Sequence, residues 1–284
     1  MDAFRPFSRD GVGIHSGERC SVRVSPGEAG SGVLFATARG DVPLCPASIA
    51  GDSRRATDLA LGGARVRTVE HLAAALAWFG VRDARIEVGG PEIPILDGSA
   101  APWVAALAGA GAIPGPAFLR IREPVRASLG NSTGEILPLD DGDAPVYEVS
   151  IDFDGADVGP GRASFRPLDG DFAVEIAPAR SFALERDVAG LRGEGLARGG
   201  SLENALVLGA EGPLNPEGMR FPDEPARHKL LDAVGDLAIL GGLPWARVSL
   251  VRPSHALHHA LVTRAAQLVE GGAPYLFSSE PGLR

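Results

Sequence analysis

Short runs of alternating apolar and polar residues in the first half of the chain predict β-strands, because the side chains of a half-buried strand point in turn to core and solvent. Between these runs the apolar period changes to that of a helix, about 3.6 residues. The predicted strands are Cys20–Ser25, Gly32–Ala36 and Ala84–Val88, and the predicted helices are Thr68–Phe79 and Ala101–Ala110. Thr68 is a suitable N-cap for the first helix, and Gly80 is suitable just past its end.

The second half of the chain repeats this plan of strands, helix, strand and helix. The predicted strands are Tyr147–Phe153, Ala173–Ile176 and Ala246–Val251, and the predicted helices are Glu224–Leu240 and His255–Glu270. A segment rich in Pro and Gly, Ile113–Ala117, separates the two halves. The pattern therefore predicts an α+β protein of two domains with similar topology, residues 1–114 and 115–284.

Composition and charge narrow the classes of function. Of the 284 residues 45% are apolar and 22% are charged, as in ordinary globular proteins. The net charge of −9, with no basic cluster, weighs against a nucleic-acid partner bound through phosphates. The two cysteines, Cys20 and Cys45, are too few for a disulfide framework. The N-terminal residues lack the apolar core of a signal peptide, and no run reaches the ~20 apolar residues of a membrane span. We therefore expect a cytoplasmic protein with no transmembrane segment.

The helix predicted in the second half carries His228 and Asp232 four residues apart, with Asp236 one turn further on. Such side chains share one helix face, and a His/Asp pair can bind zinc if a third ligand comes from elsewhere. His71, which follows Glu70, lies early in the corresponding helix of the first half, so two-fold packing of the halves would bring the two helix starts together. By itself the spacing is more often that of a solvated or capping pair, and a zinc hydrolase is one alternative.

Lys229, beside His228, is the single lysine of the chain, since the other 26 of its 27 basic residues (27 − 1) are arginines. A lysine kept in an arginine-rich protein suggests a position where a compact ammonium is needed, although chance retention explains it equally well. The chain has no HExxH, GxSxG or Walker A motif, so these motifs give no support for an HExxH metallopeptidase, a serine hydrolase or a P-loop nucleotide-binding protein.

Seven stretches carry a resemblance that extends over nearly the whole chain. They are GVGIHSG (11–17), TVEHLAAALAWFGVRDARIEV (68–88), PEIPILDGSAAPWV (91–104), ARSFALERDV (179–188), GLARGGSLENALVL (195–208), MRFPDEPARHKLLDAVGDLAILG (219–241) and SHALHHAL (254–261). Together they resemble the UDP-3-O-acyl-N-acetylglucosamine deacetylases, the zinc amidases of bacterial lipid A biosynthesis. The resemblance implies two domains of similar topology, each a small sheet with two helices, with the helices sandwiched between the sheets.

The resemblance also implies a catalytic metal, one Zn²⁺ per chain with Fe²⁺ as an alternative in the cell. The residues that match the family's functional positions are His71, His228 and Asp232 for the metal, Glu70 for the general base, His255 for the group that stabilises the oxyanion and protonates the leaving amine, Asp236 for the carboxylate that orients it, Ser181 for an assisting hydroxyl, and Lys229 for a substrate contact. We expect these groups to hydrolyse the N-acetyl amide of the substrate and release acetate.

The implied substrate is UDP-3-O-acyl-N-acetylglucosamine, whose acyl chain the family binds in an apolar passage formed by an inserted β-α-β segment, here near 183–207. Candidate substrate contacts are Asp152 and Phe153 at the uridine end, and Phe182, Leu184, Val188, Ala197, Ala205 and Val207 towards the acyl chain. Ordinary packing of a small insert would explain each of the apolar residues equally well.

Some positions depart from the family pattern. Pro253 and Ser254 precede His255 where a glycine is common, and the charges of Glu185 and Arg198 leave the preferred acyl length open. Three alternatives remain at this stage: a related zinc amidase acting on another nucleotide sugar, a non-catalytic nucleotide-sugar binding module, and a zinc peptidase. We expect a monomer.

Overall fold

The computed structural model of the chain describes residues 4–140, 142–152 and 161–270. The strands of these ranges, in chain order, are β1 (Phe7–Val12), β2 (Arg19–Pro26), β3 (Val33–Thr37), β4 (Gly40–Pro43), β5 (Leu59–Leu61), β6 (Ala64–Val66), β7 (Ala84–Gly89), β8 (Phe118–Leu119), β9 (Val125–Leu129), β10 (Ser132–Pro138), β11 (Val146–Ile151), β12 (Gly161–Phe165), β13 (Phe182–Leu184), β14 (Leu206–Gly209), β15 (Gly212–Pro213), β16 (Leu243–Pro244) and β17 (Ala246–Val251). The α-helices are α1 (Glu70–Trp78), α2 (Ala101–Gly109), α3 (Phe172–Glu175), α4 (Glu185–Gly193), α5 (Glu224–Leu237) and α6 (His255–Ala265).

Two five-stranded sheets have the same strand order. The first is β1-β2-β7-β3-β4, and the second, read in the same direction, is β9-β10-β17-β11-β12. The central strand of each pairs antiparallel with one neighbour and parallel with the other: β7 with β2 and β3, and β17 with β10 and β11. A helix precedes and follows each central strand. The predicted α+β fold with two sheets of similar topology is confirmed, while the exact domain limits, 1–114 and 115–284, stay a prediction.

The helices α1 and α5 lie in contact with each other in the middle of the molecule. Every side chain of α1 except Ala77 is buried, and so is all of α5 except Arg227 and Lys229. A helix buried on nearly every face needs packing partners on both sides, and the two sheets with their connecting segments provide them. At Gly235 the backbones of the two helices touch, because a Cβ there would lie 2.0 Å from the carbonyl oxygen of Glu70.

One predicted strand, Ala173–Ile176, is wrong: the structure has the short helix α3 at this place. Asp171 precedes it as N-cap, and its side chain accepts a hydrogen bond from the backbone N of Ala173 at 2.9 Å. The Glu175 carboxylate accepts the backbone N–H of Asp171 in return, at 2.7 Å. These reciprocal caps favour a helical turn over an extended strand, although the apolar residues Ala173, Val174 and Ile176 would fit either.

The start of the first helix also differs from the prediction. Thr68 is not its N-cap; α1 begins at Glu70, and Thr68 has a left-handed φ of 58°. The Thr68 hydroxyl donates instead to Glu92 at 2.7 Å. Gly80 follows the helix with a φ of 59°, as predicted for a residue just past a helix end.

Candidate metal centre and active site

The first turn of α1 and the middle of α5 bring together the side chains of His71, His228 and Asp232. The Nε2 atoms of His228 and His71 lie 3.2 and 3.8 Å from Oδ1 of Asp232. All three side chains are buried, and their potential ligand atoms lie within 4.8 Å of one another. Two imidazole nitrogens and one carboxylate oxygen are a donor set for zinc that leaves a fourth position open.

The hydrogen bonding of Asp232 supports a cation at this place. Its Oδ1 atom is buried and has no hydrogen-bond partner in the described part of the chain. Its Oδ2 atom accepts a hydrogen bond from Nζ of Lys229 at 3.0 Å. Leaving a buried, charged oxygen unpaired is costly, so the free Oδ1 beside two imidazole nitrogens fits a metal ion. Lys229 thus holds the carboxylate by the oxygen that the metal does not need.

The protonation states of the cluster suit metal binding, which requires neutral imidazole and ionised carboxylate. Burial lowers the pKa of His228 to about 4, so the ring is neutral at pH 7. Its Nδ1 lies 3.1 Å from the carbonyl oxygen of Ala179, which places the proton on Nδ1 and the lone pair on Nε2. Burial alone would raise the pKa of Asp232, but His228 and Lys229 outweigh it and hold the pKa well below its usual range.

A second group, next to the first, is formed by Asp236 of α5 and two histidines of α6. Nδ1 of His255 and Nδ1 of His258 lie 2.8 and 2.7 Å from the same oxygen, Oδ2 of Asp236. These three residues also have metal-ligand spacing, but donation by both imidazoles to one carboxylate accounts for their arrangement. Burial lowers the pKa of His255, but Asp236 and Asp232 outweigh it and raise the pKa to about 9. His255 is therefore a cation at neutral pH.

Glu70 lies between the two groups and is 3% exposed. Its Oε1 atom is 3.8 Å from Nε2 of His255, and its Oε2 atom accepts the backbone N–H of Thr57 at 3.1 Å. Burial raises the pKa of Glu70 to about 7, against the opposing effect of His255 and His71. A carboxyl group with a pKa near neutrality is suited to accept and return a proton.

Comparison with known proteins agrees with this geometry. The model of the UDP-3-O-acyl N-acetylglycosamine deacetylase family matches residues 4–267. The chain is 44% identical over 261 residues to the UDP-3-O-acyl-N-acetylglucosamine deacetylase of Anaeromyxobacter sp. (strain Fw109-5), with 89% of this chain and 84% of the relative covered. It is 42% identical over 273 residues to the deacetylase of that name from Nostoc sp., with 92% and 96% covered. The chain belongs to this deacetylase family.

Membership of the deacetylase family confirms the resemblance inferred from the seven sequence stretches. Because its relatives are deacetylases, the chain is a hydrolase that acts on an amide. Among the described residues, no helix combines the length and the apolar character needed to cross a bilayer.

Ser181 and Phe182 border the residues of the candidate metal centre. The Phe182 ring stands edge-on to the His228 ring at 6.1 Å, and Nζ of Lys229 lies 5.7 Å from the Phe182 ring centre. The backbone of Ser181 is fixed by donation to the Gly98 carbonyl at 2.7 Å. Ser181 is therefore close to the site, and the part of its hydroxyl stays a prediction.

The candidate acyl contacts lie on a β-α-β segment in which β13 and β14 pair in parallel and α4 connects them. Leu184, Val188, Ala197 and Val207 are half-buried, and Ala205 is buried. That they line an acyl passage remains a prediction.

At the proposed uridine end, Asp152 is exposed and forms an ion pair with Arg252 at 2.8 Å. Phe153 lies outside the described residues, so its predicted contact stays a prediction.

Sequence reasoning missed three groups in or behind the site. His258 and His259 follow His255 by three and four residues on α6, a spacing that could have placed them on the face of His255. Thr57 lies in a loop with no helical or strand period, and no sequence signal identifies it. The buried ion pair of Arg180 and Glu224, at 2.8 Å, joins the segment that carries Ala179 and Ser181 to the start of α5.

Proposed function

We propose that the chain hydrolyses the N-acetyl amide of UDP-3-O-acyl-N-acetylglucosamine, the substrate class in the names of its relatives. The products are acetate and UDP-3-O-acyl-glucosamine with a free amine, an early step of lipid A biosynthesis. One observation carries the proposal: Oδ1 of Asp232, which has no hydrogen-bond partner among the described residues, lies between His71 and His228. Nε2 of His255 lies 3.8 Å from Oδ2 of the same carboxylate and 3.8 Å from Oε1 of Glu70. A binding module has no need for such an arrangement.

His71, His228 and Asp232 are the residues that would hold one zinc ion, with Fe²⁺ as the alternative in the cell. When bound there, the ion supplies a Lewis acid that polarises the amide carbonyl and makes a water molecule more acidic. The remaining steps belong to side chains of this chain.

Glu70 takes the proton of the attacking water on Oε1, while the oxygen of that water forms a bond to the acetyl carbon. Negative charge then grows on the carbonyl oxygen, where the imidazolium of His255 and the hydroxyl of Ser181 stabilise it. His255 donates its Nε2 proton to the leaving nitrogen as the C–N bond breaks. Asp236 keeps that imidazole charged and oriented through its hydrogen bond to Nδ1. The oxygen and one hydrogen of the water go to the acetyl group, and the amine receives the proton of His255. Transfer of the proton held by Glu70 to His255, 3.8 Å away, restores both groups.

Substrate recognition involves the rim of the site. Lys229 supplies a compact cation for a phosphate or hydroxyl of the substrate, and its ammonium fits beside Asp232. Asp152 and Phe153 would meet the uridine end. The acyl chain would lie along Phe182 and the β-α-β segment, against Leu184, Val188, Ala197, Ala205 and Val207. The proposal includes a monomer in the cytoplasm, and the two buried free cysteines suit a reducing compartment.

The test is acetate release from UDP-3-O-acyl-N-acetylglucosamine by the purified chain, with metal analysis and gel filtration of the same sample. We expect acetate release, close to one zinc per chain, and loss of both in Asp232→Ala. The matched control is Asp169→Ala, which removes an exposed aspartate and should change neither. A chain that binds the substrate but releases no acetate would be a binding module. Cleavage of peptides in place of the sugar amide would make it a peptidase.

A further inference from the structure

Thr57 is a buried residue that hydrogen-bonds to two carboxylates of the site, one from each of the central helices. It is 0% exposed. Its backbone N–H donates to Oε2 of Glu70 at 3.1 Å, and its hydroxyl lies 2.5 Å from Oδ1 of Asp236. Its carbonyl oxygen accepts the backbone N–H of Val69 at 3.1 Å, which ties the loop to the start of α1. We propose that Thr57 is a positioning residue that holds the base Glu70 and the Asp236–His255 pair in a fixed relation. This inference rests on the proposed deacetylation.

The directions of the hydrogen bonds follow from the number of protons. Asp236 is surrounded by donors and, as a carboxylate, can only accept. The single hydroxyl proton of Thr57 therefore goes to Oδ1 of Asp236. Nε2 of His259 lies 2.8 Å from the same hydroxyl oxygen, so His259 must be the donor in that contact. The result is a directed chain from His259 through Thr57 to Asp236.

This chain fixes the plane of the Asp236 carboxylate. Thr57 binds Oδ1, and His255 and His258 share Oδ2, so both oxygens are held by donors from different elements. Without the hydroxyl, the carboxylate keeps only the contacts at Oδ2 among the described residues, and it can turn about its Cβ–Cγ bond. The imidazole of His255 would turn with it, because its Nδ1–H follows the carboxylate.

The backbone N–H of Thr57 has the matching effect on the base. By binding Oε2 of Glu70 it directs Oε1 towards Nε2 of His255, 3.8 Å away. The two groups that move protons in the proposed reaction are thus held by one residue. Because a misplacement of about 1 Å can reduce a rate about 100-fold, loss of this alignment should be visible in turnover.

The experiment compares Thr57→Val with Thr57→Ser in the metal-loaded protein. Valine keeps the shape and the backbone N–H but removes the hydroxyl, and serine restores it. We expect Thr57→Val to lower kcat by about 10-fold or more, with KM and zinc content within about 2-fold of the unmodified protein. Thr57→Ser should recover kcat to within about 3-fold, which a role in packing alone would not produce.

Thr68→Val is the matched control. It also removes a buried hydroxyl that donates to a carboxylate, that of Glu92 at 2.7 Å, next to the same helix. Both valine variants should lose similar thermal stability, but only Thr57→Val should lose turnover. In nitrogen-15 NMR of the metal-free protein, the Nε2–H form of His259 should lose its preference in Thr57→Val and keep it in Thr68→Val.

A double-mutant cycle tests whether Thr57 acts through Asp236. In an Asp236→Ala background, Thr57→Val should reduce kcat by less than about 2-fold further, because the shared interaction is already gone. Any of three results would overturn the inference. They are an unchanged kcat in Thr57→Val, a Thr57→Ser variant as slow as Thr57→Val, and a double variant whose loss in kcat is the full product of the losses of Thr57→Val and Asp236→Ala. Failure of the unmodified chain to release acetate would instead refute the proposed function, and this role with it.

Discussion

Exchange of Glu224 for glutamine should destabilise the fold and loosen the metal centre at once. Glu224 begins α5, is 0% exposed, and accepts hydrogen bonds from the backbone N, Nε and Nη2 of Arg180 at 3.0, 2.8 and 3.2 Å. The backbone N of Arg220 donates to it at 2.6 Å. Glutamine has the same size but replaces one acceptor oxygen by NH₂. Two of the four donors would then face another donor, and Arg180 would lose its buried counter-charge.

The magnitude follows from burial. Removing one partner of a buried ion pair costs about 3–5 kcal/mol. Arg180 is 1% exposed, but Glu217 still accepts from its Nη1 at 2.5 Å, which favours the lower end. We expect a loss of about 3 kcal/mol, or about 6–12 °C in Tm at about 2–4 °C per kcal/mol. Arg180 also stands between Ala179, which orients His228, and Ser181, so zinc affinity should fall by about 10-fold.

The assays are urea unfolding followed by circular dichroism, and zinc titration against a chelator. Glu148→Gln is the matched control, because Glu148 pairs with Arg247 at 2.8 Å while both side chains remain partly exposed. Exposed pairs contribute about 0–1 kcal/mol, so this variant should stay close to the unmodified protein in both assays. A Glu224→Gln variant within about 1 kcal/mol of the unmodified protein would refute the reasoning that the buried pair stabilises this segment.

The pH dependence of the free energy of unfolding should report the ionisation of Glu224. Burial alone raises the pKa of Glu224, but its ion pair and backbone donors outweigh it and lower the pKa; its contribution is therefore complete above the unfolded-state value of about 4.3 and is lost as pH falls through the folded-state value. Urea curves of Glu224→Gln and the unmodified protein should be well separated at pH 7 and converge below about pH 4. Glu70→Gln should keep its zinc and lower kcat by about 10²–10⁴-fold, and normal turnover would exclude Glu70 as the base. Lys229→Arg should lower kcat/KM by about 10-fold or more, because a guanidinium fork is too wide beside Asp232, while Arg247→Lys at an exposed site should change nothing. Unchanged kinetics of Lys229→Arg at matched metal content would mean that the lysine survived by chance.

The pattern of apolar and polar residues along the chain predicted most of the strands and helices. The strand Ala246–Val251 has the predicted bounds, because alternation and flanking turn residues agree there. The helix predicted over Glu224–Leu240 was nearly right, since only its last turn changes, to a 3₁₀ turn at Ala238–Leu240. The failure at Ala173–Ile176 occurred because four residues, three of them apolar, are too few to show a period, and side-chain caps decide the conformation.

The site was predictable to the extent that its residues lie near one another in sequence or match a family motif. The spacing of His228 and Asp232 placed both on one helix face, but it could not select metal binding over a solvated pair. Thr57 and Asp236 are 179 residues apart, and no local rule connects them. The contact of His228 with the Ala179 carbonyl was equally hidden, because it uses a backbone atom and leaves no side-chain signature.

The equivalence of the two sheets explains why a single site forms. Because β7 and β17 occupy the same place in matching sheets, the helices before them, α1 and α5, are equivalent, and the first turn of α1 meets the middle of α5. The rings of His71 and His228, one from each helix, stand 5.2 Å apart at that meeting point. Of these two helices, only α5 has acidic residues at successive turns, Asp232 and Asp236, so the two equivalent helices present different side chains. In the proposed mechanism, one half supplies Glu70 and His71, and the other supplies His228, Asp232 and His255. The candidate centre is therefore complete only when both halves are folded and packed together.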